Sequence, residues 1–153
     1  MTINETAIES NVTWKRASAE CAIDYTRVPQ YNTAHVNKAD EADLWEIKTP
    51  LIDALVDRFK QLPDYRDDWM FLSVQRYDIG DYIPPHEDIF MWHYLLVLNN
   101  SDVDGLVLEN LQTGRFEFHA DRYDNMIKIE QHAQHWINPV RDHARYTAVI
   151  AVM

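Results

Sequence analysis

The residues best placed to do chemistry are His86-Glu87-Asp88, which close the stretch Val74-Gln-Arg-Tyr77-Asp-Ile-Gly80-Asp-Tyr82-Ile-Pro-Pro-His86-Glu87-Asp88. In an extended strand successive side chains alternate faces, so His86 and Asp88 point one way and Glu87 the other. A converging imidazole and carboxylate are two thirds of a 2-His-1-carboxylate set. Such a set holds Fe(II) on one side and leaves positions open for a cosubstrate and oxygen. A second histidine must come from downstream, where His93, His119, His132, His135 and His143 follow. His135 begins a strand-like run, His135-Trp-Ile-Asn-Pro139-Val140-Arg-Asp-His-Ala-Arg145-Tyr-Thr147, and His132 is the alternative three residues earlier. A second His-x-Asp, His119-Ala-Asp121, lies at a hairpin end, with too few residues before His132 or His135 to hold the intervening strands.

Arg145, Thr147 and Val149 share one face of the last strand. An inward arginine among apolar neighbours needs a partner, because a buried unpaired charge is costly. Either a ligand carboxylate or a core acid satisfies its planar fork, and Thr147 adds a hydroxyl beside it.

Taken together, Tyr77-x-x-Gly80-x-Tyr82, His86-x-Asp88, a His 49 residues later, Pro139-Val140 and an Arg ten residues after His135 resemble the Fe(II)/2-oxoglutarate-dependent dioxygenases, prolyl-4-hydroxylase-like branch. The resemblance covers about residues 69–153. It implies Fe(II) on His86, Asp88 and His135, with Arg145 and Thr147 on the distal carboxylate of 2-oxoglutarate. It also implies Tyr77 or Tyr94 in the cosubstrate pocket. With O2, such a site hydroxylates an aliphatic C–H of an amino-acid residue, free amino acid or small metabolite and releases succinate and CO2. The sequence departs from the family at His143, where glycine is usual, and at a single Gly105 in place of a glycine pair. The third strand also lacks the usual Arg and Thr. Two other functions compete: a cupin-like metal-binding barrel that does not use 2-oxoglutarate, and a non-catalytic barrel serving as an interaction module.

The elements that must position these residues follow from periodicity. Between Asn37 and Leu62 the pattern is helical, and Pro50 splits it in two. The second helix is expected to be capped by Thr49, with Leu51, Ile52, Leu55, Val56, Phe59 and Leu62 as an apolar stripe that packs on a sheet. Thr13–Ala17 reads as a strand and Val28–Asn32 as a turn or loop. After Pro63 the period becomes two, and eight short strands are expected near 69–77, 83–88, 91–99, 105–110, 115–119, 125–130, 134–140 and 144–152. The expected fold is mostly β (α+β), a double-stranded β-helix or jelly roll with N-terminal helices on one sheet. One domain over 1–153 is expected, with 1–68 as helical support and 69–153 as the barrel core.

Composition narrows the partners. The chain has 153 residues with a net charge of −11, and its 14 Lys and Arg are scattered, which disfavours a nucleic-acid substrate. A small-molecule or peptide substrate is expected instead, and oligomeric state is not readable. A lone cysteine, Cys21, excludes an internal disulfide. The N-terminus has no signal-peptide pattern and no apolar run nears the length of a membrane span, so a cytoplasmic protein is expected.

Overall fold

A computed structural model describes residues 1–18, 30–39 and 46–153. Cys21 and residues 40–45 of the first expected helix lie outside these; of the rest of that helix, Asn37 ends a strand and Ile47 forms an isolated bridge with Val12, so its described residues are not helical. In chain order the elements are α1 (Glu5–Asn11), β1 (Lys15–Ser18), β2 (Gln30–Asn37), α2 (Thr49–Phe59), β3 (Phe71–Tyr77), β4 (Ile83–His86), β5 (Trp92–Val97), β6 (Gly105–Glu109), β7 (Phe116–Ala120), β8 (Met126–Lys128), β9 (His135–Ile137) and β10 (Arg145–Val152). They form a large sheet ordered β1-β2-β3-β10-β5-β8 and a small sheet ordered β4-β9-β6-β7. All the pairings are antiparallel. This is a double-stranded β-helix, and its eight barrel strands fall where the alternation predicts them.

The large sheet is buried on both faces. Its outer face carries Ala34, Val36, Leu72, Val74, Leu96, Ala148 and Ile150, which pack with Leu51, Leu55 and Phe59 of α2 and Ile8 of α1. The apolar stripe of α2 therefore docks on a sheet, as its spacing predicts. Its inner face meets the small sheet through Leu95, Val97 and Val149 against Leu106, Leu108 and Ile137. No helix among the described residues is long and apolar enough to cross a membrane.

Two local expectations are corrected, and one helix was not anticipated. Lys48, not Thr49, is the N-cap of α2, and it makes no side-chain capping bond. Helix α1, capped by the Asn4 side chain on the Ala7 amide at 2.9 Å, buries only Ile8, too little apolar surface to produce a periodic signal. Residues 30–32, expected in a turn or loop, begin β2, which pairs with β3 from Asn32↔Arg76 to Asn37↔Phe71. Strand β2 escaped detection because its inward positions are Tyr31, Thr33, His35 and Asn37, leaving only Ala34 and Val36 to mark a buried face.

Gly105 has a steric role. A Cβ there would run into the carbonyl of His119 on β7, so the β6–β7 pair closes only over glycine.

Candidate active site

His86 ends β4, Asp88 lies two residues beyond it, and His135 opens β9 as the cross-strand partner of His86. One ligand atom from each lies within 4.8 Å of the others. His135 Nε2 is 3.1 Å and His86 Nε2 3.7 Å from Asp88 Oδ2, and the two rings are 4.2 Å apart between centroids. Their orientation is fixed from behind. His86 Nδ1 is 3.0 Å from the Pro84 carbonyl and His135 Nδ1 is 2.9 Å from the Ala133 carbonyl. A carbonyl only accepts, so both Nδ1 atoms donate to one, and both Nε2 atoms are turned toward Asp88.

Protonation suits the same use. Burial, with His135 close by, pushes the His86 imidazole below its ordinary range, so it is neutral at neutral pH. Burial works to raise Asp88, but the hydrogen bond and charge of His135, followed by His86 and His93, bring it net below the usual carboxylate range. A neutral imidazole at His86 and an ionised carboxylate at Asp88 are ligand forms a divalent metal requires. His132 takes no part: it is exposed, with φ 68°, and its Nδ1 lies 3.3 Å from Glu87 Oε1. Glu87 thus points away from His86 and Asp88, as strand alternation requires.

The three groups open into a cavity of about 490 Å³ between the sheets. One wall is the inward face of β2 and β3, where Thr33, His35, Ser73 and Gln75 supply polar groups and the Thr33 and Ser73 hydroxyls lie 3.1 Å apart. The sequence did not reveal this wall, because half of it is β2. His93, one of the downstream histidine candidates, also lines the cavity. Its side chain is buried, and Nδ1 has no partner and lies 3.9 Å from Asp88 Oδ2. Burial pushes its imidazole down to about 4.

The residues expected around the cosubstrate divide. Tyr77 lines the cavity, stacks on Tyr31 at 5.2 Å and donates its hydroxyl to Gln75 Oε1. Thr147 donates to the same oxygen at 3.2 Å, one layer behind the cavity wall. Arg145, the register partner of Tyr77, is 1% exposed and sits behind its ring, with the guanidinium carbon 5.2 Å from the ring centroid. Arg145 has a protein partner: its Nε donates to Asp121 Oδ2 at 2.7 Å, and Asp121 is also 1% exposed. Nη1 and Nη2 of Arg145 and Oδ1 of Asp121 have no partner. Burial raises the Asp121 carboxyl and the charge of Arg145 partly offsets this.

Tyr94 is a correction. Even-numbered positions of β5 face the helices, so Tyr94 lies on the opposite side of the large sheet and donates to Asp64 Oδ1 at 2.8 Å. The cavity face of β5 is held by His93 and Leu95.

No protein-family model and no curated protein matches this sequence. Solved structures do. The chain is similar to an oxidoreductase of the 2OG-Fe(II) oxygenase family from Burkholderia pseudomallei, with TM-score 0.70 and 17% identity over 95% of this chain and 75% of that one. It is similar to a Pseudomonas putida prolyl-4-hydroxylase, with TM-score 0.59 and 14% identity over 91% and 76%. It is also similar to a predicted oxalate decarboxylase from Thermotoga maritima, with TM-score 0.53 and 12% identity over 100% of both chains. At these identities the likeness establishes the double-stranded β-helix, a fold common to oxygenase-family and oxalate decarboxylase neighbours.

Proposed function

We propose that this chain is an Fe(II)- and 2-oxoglutarate-dependent oxygenase that hydroxylates an aliphatic C–H of an amino-acid residue, free amino acid or small metabolite. The observation that carries the reading is the donor set. Two histidine Nε2 atoms, held by carbonyls at their Nδ1, and one carboxylate oxygen gather at one side of a cavity large enough for a cosubstrate and a substrate group. When bound, the metal and 2-oxoglutarate supply the oxidising chemistry, with succinate and CO2 as co-products. His86, Asp88 and His135 hold the metal in this reading, while Tyr77 lines the cosubstrate pocket and Thr147 and Arg145 stand in the layer behind it, where a distal carboxylate would have to reach. The two unpartnered Nη groups of Arg145 support that assignment, since they are hydrogen-bond donors sealed from water and lacking an acceptor. The remaining residues orient and exclude water: the carbonyls of Pro84 and Ala133 fix the imidazoles, and the walls of β3, β5 and β10 enclose the reacting centre.

A second reading, a cupin-type metal barrel that does not use 2-oxoglutarate, is favoured by the engagement of Arg145 with Asp121. Anaerobic titration of the apoprotein with Fe(II) and then 2-oxoglutarate separates the two. A visible charge-transfer band, lost in His135→Ala, supports the oxygenase. Iron binding without the band supports the cupin-type barrel, and absence of iron binding refutes both.

A further inference from the structure

Among the described residues no lysine or arginine lines the cavity, so a carboxylate lying away from the metal must be held there by neutral donors. Apart from His86, Asp88, His93 and His135, the polar lining lies on β2 and β3, and Leu95, Leu106, Ile137 and Val149 make the other walls apolar.

Gln75 is held in one orientation by what lies behind it. The hydroxyls of Tyr77 and Thr147 belong to side chains 1% and 0% exposed, and each donates to Gln75 Oε1 at 3.2 Å. Neither hydroxyl has another acceptor among the described residues, and a buried O–H needs one, so the carboxamide oxygen must face them. The Nε2 hydrogens are then left to the cavity that Gln75 lines, and no described residue accepts from them. Ser73 lies two residues away on the same face. Its hydroxyl and that of Thr33, 3.1 Å apart, share one hydrogen between them and leave a second for a ligand. Gln75 also stands in front of the arginine: it lines the cavity, whereas Arg145 does not. A ligand reaching from the metal end meets the Gln75 amide first.

We propose that Gln75 receives the distal carboxylate of the 2-oxo acid, donating to it from Nε2, and that Tyr77 and Thr147 are positioning residues that hold the amide in that orientation. The inference rests on the oxygenase reading of the cavity and moves the distal contact from Arg145 to Gln75.

The test is calorimetric titration of the protein loaded with redox-inert Zn(II), comparing 2-oxoglutarate with 2-oxopentanoate, which has the same chain and no distal carboxylate. The wild type is expected to prefer 2-oxoglutarate by about tenfold or more, the worth of a hydrogen bond to a charged group. Gln75→Leu should bind the two acids alike, with affinity for 2-oxopentanoate unchanged. Gln75→Glu keeps the shape and an acceptor for Tyr77 and Thr147, and should lose the preference too, because two carboxylates would meet; it carries the test if the leucine variant folds poorly. Thr147→Val, one layer back from the ligand, should shrink the ratio of the two affinities, and an unchanged ratio removes its positioning role. A preference that survives in Gln75→Glu and disappears in Arg145→Gln overturns the inference and leaves the oxygenase reading standing, as does a wild type that binds the two acids equally. Loaded protein that binds neither acid overturns that reading as well.

Discussion

Removing one member of the Arg145–Asp121 pair should be among the most damaging changes available outside the apolar core. Both side chains are 1% exposed and 2.7 Å apart, so whichever remains is a charge with no water to solvate it. Breaking a buried pair from one side costs about 3–5 kcal/mol. In a domain of this size each kcal/mol lowers Tm by about 2–4 °C, so a fall of about 6–20 °C is expected. The two single variants should differ. In Arg145→Met the stranded Asp121, whose carboxyl burial already raises, escapes part of the penalty by taking up a proton. In Asp121→Leu the stranded arginine cannot discharge, and Nε joins Nη1 and Nη2 without a partner, so this variant should be the less stable. The double variant Asp121→Leu/Arg145→Met places apolar side chains in the same volume and should lie within about 1 kcal/mol of the wild type. Urea unfolding of all four proteins at pH 7 measures this. Additive losses in the double variant, or single losses below about 1 kcal/mol, would refute the argument.

Other consequences can be checked separately. His86→Ala, Asp88→Ala and His135→Ala should each abolish stoichiometric metal binding, while His132→Ala leaves it unchanged; retained binding in His135→Ala contradicts the donor set. Tyr94→Phe should cost about 1 kcal/mol through loss of the Asp64 contact and leave 2-oxoglutarate affinity alone, so a changed affinity would return Tyr94 to the pocket. Gly105→Ala should destabilise by about 1–3 kcal/mol, because the new Cβ meets β7 backbone and not a movable side chain; unaltered urea unfolding argues against this packing. Burial works to raise Glu9, but hydrogen bonds from Tyr146, Trp14 and Arg76 hold it net below its ordinary 4.5. Its contribution is therefore full above about pH 4.5 and is lost as pH falls through the lower folded value. Glu9→Gln should flatten the stability profile in that acid range and nowhere else, as unfolding measured from pH 7 to 3 will reveal.

Much of this protein was legible in its sequence because the information was local. Alternation after Pro63 marked the barrel strands, and the period of Leu51, Leu55 and Phe59 marked α2 and the face it buries. The two-residue step from His86 to Asp88 fixed their common face, since backbone pleating alone decides it. Pairing His86 with His135 was reachable only through family spacing, for no local rule brings positions 49 residues apart together; in the structure their strands are register partners.

Tertiary structure alone decided the rest. Strand β2 is recognisable only once one knows that its polar side faces a cavity and not solvent. Tyr94 and His93 are adjacent on one strand, and which of them looks inward depends on the register of β5 against β10, where Tyr94 pairs with Ile150 and His93 with Ala151. Asp121 belonged to a decoy motif in the sequence. It became the partner of Arg145 because the residue after β7 and the first residue of β10, 24 positions apart, meet in the fold. Alternation determines which residues share a face of one strand, whereas which face becomes interior, and which charges meet there, is determined by how two sheets close on one another.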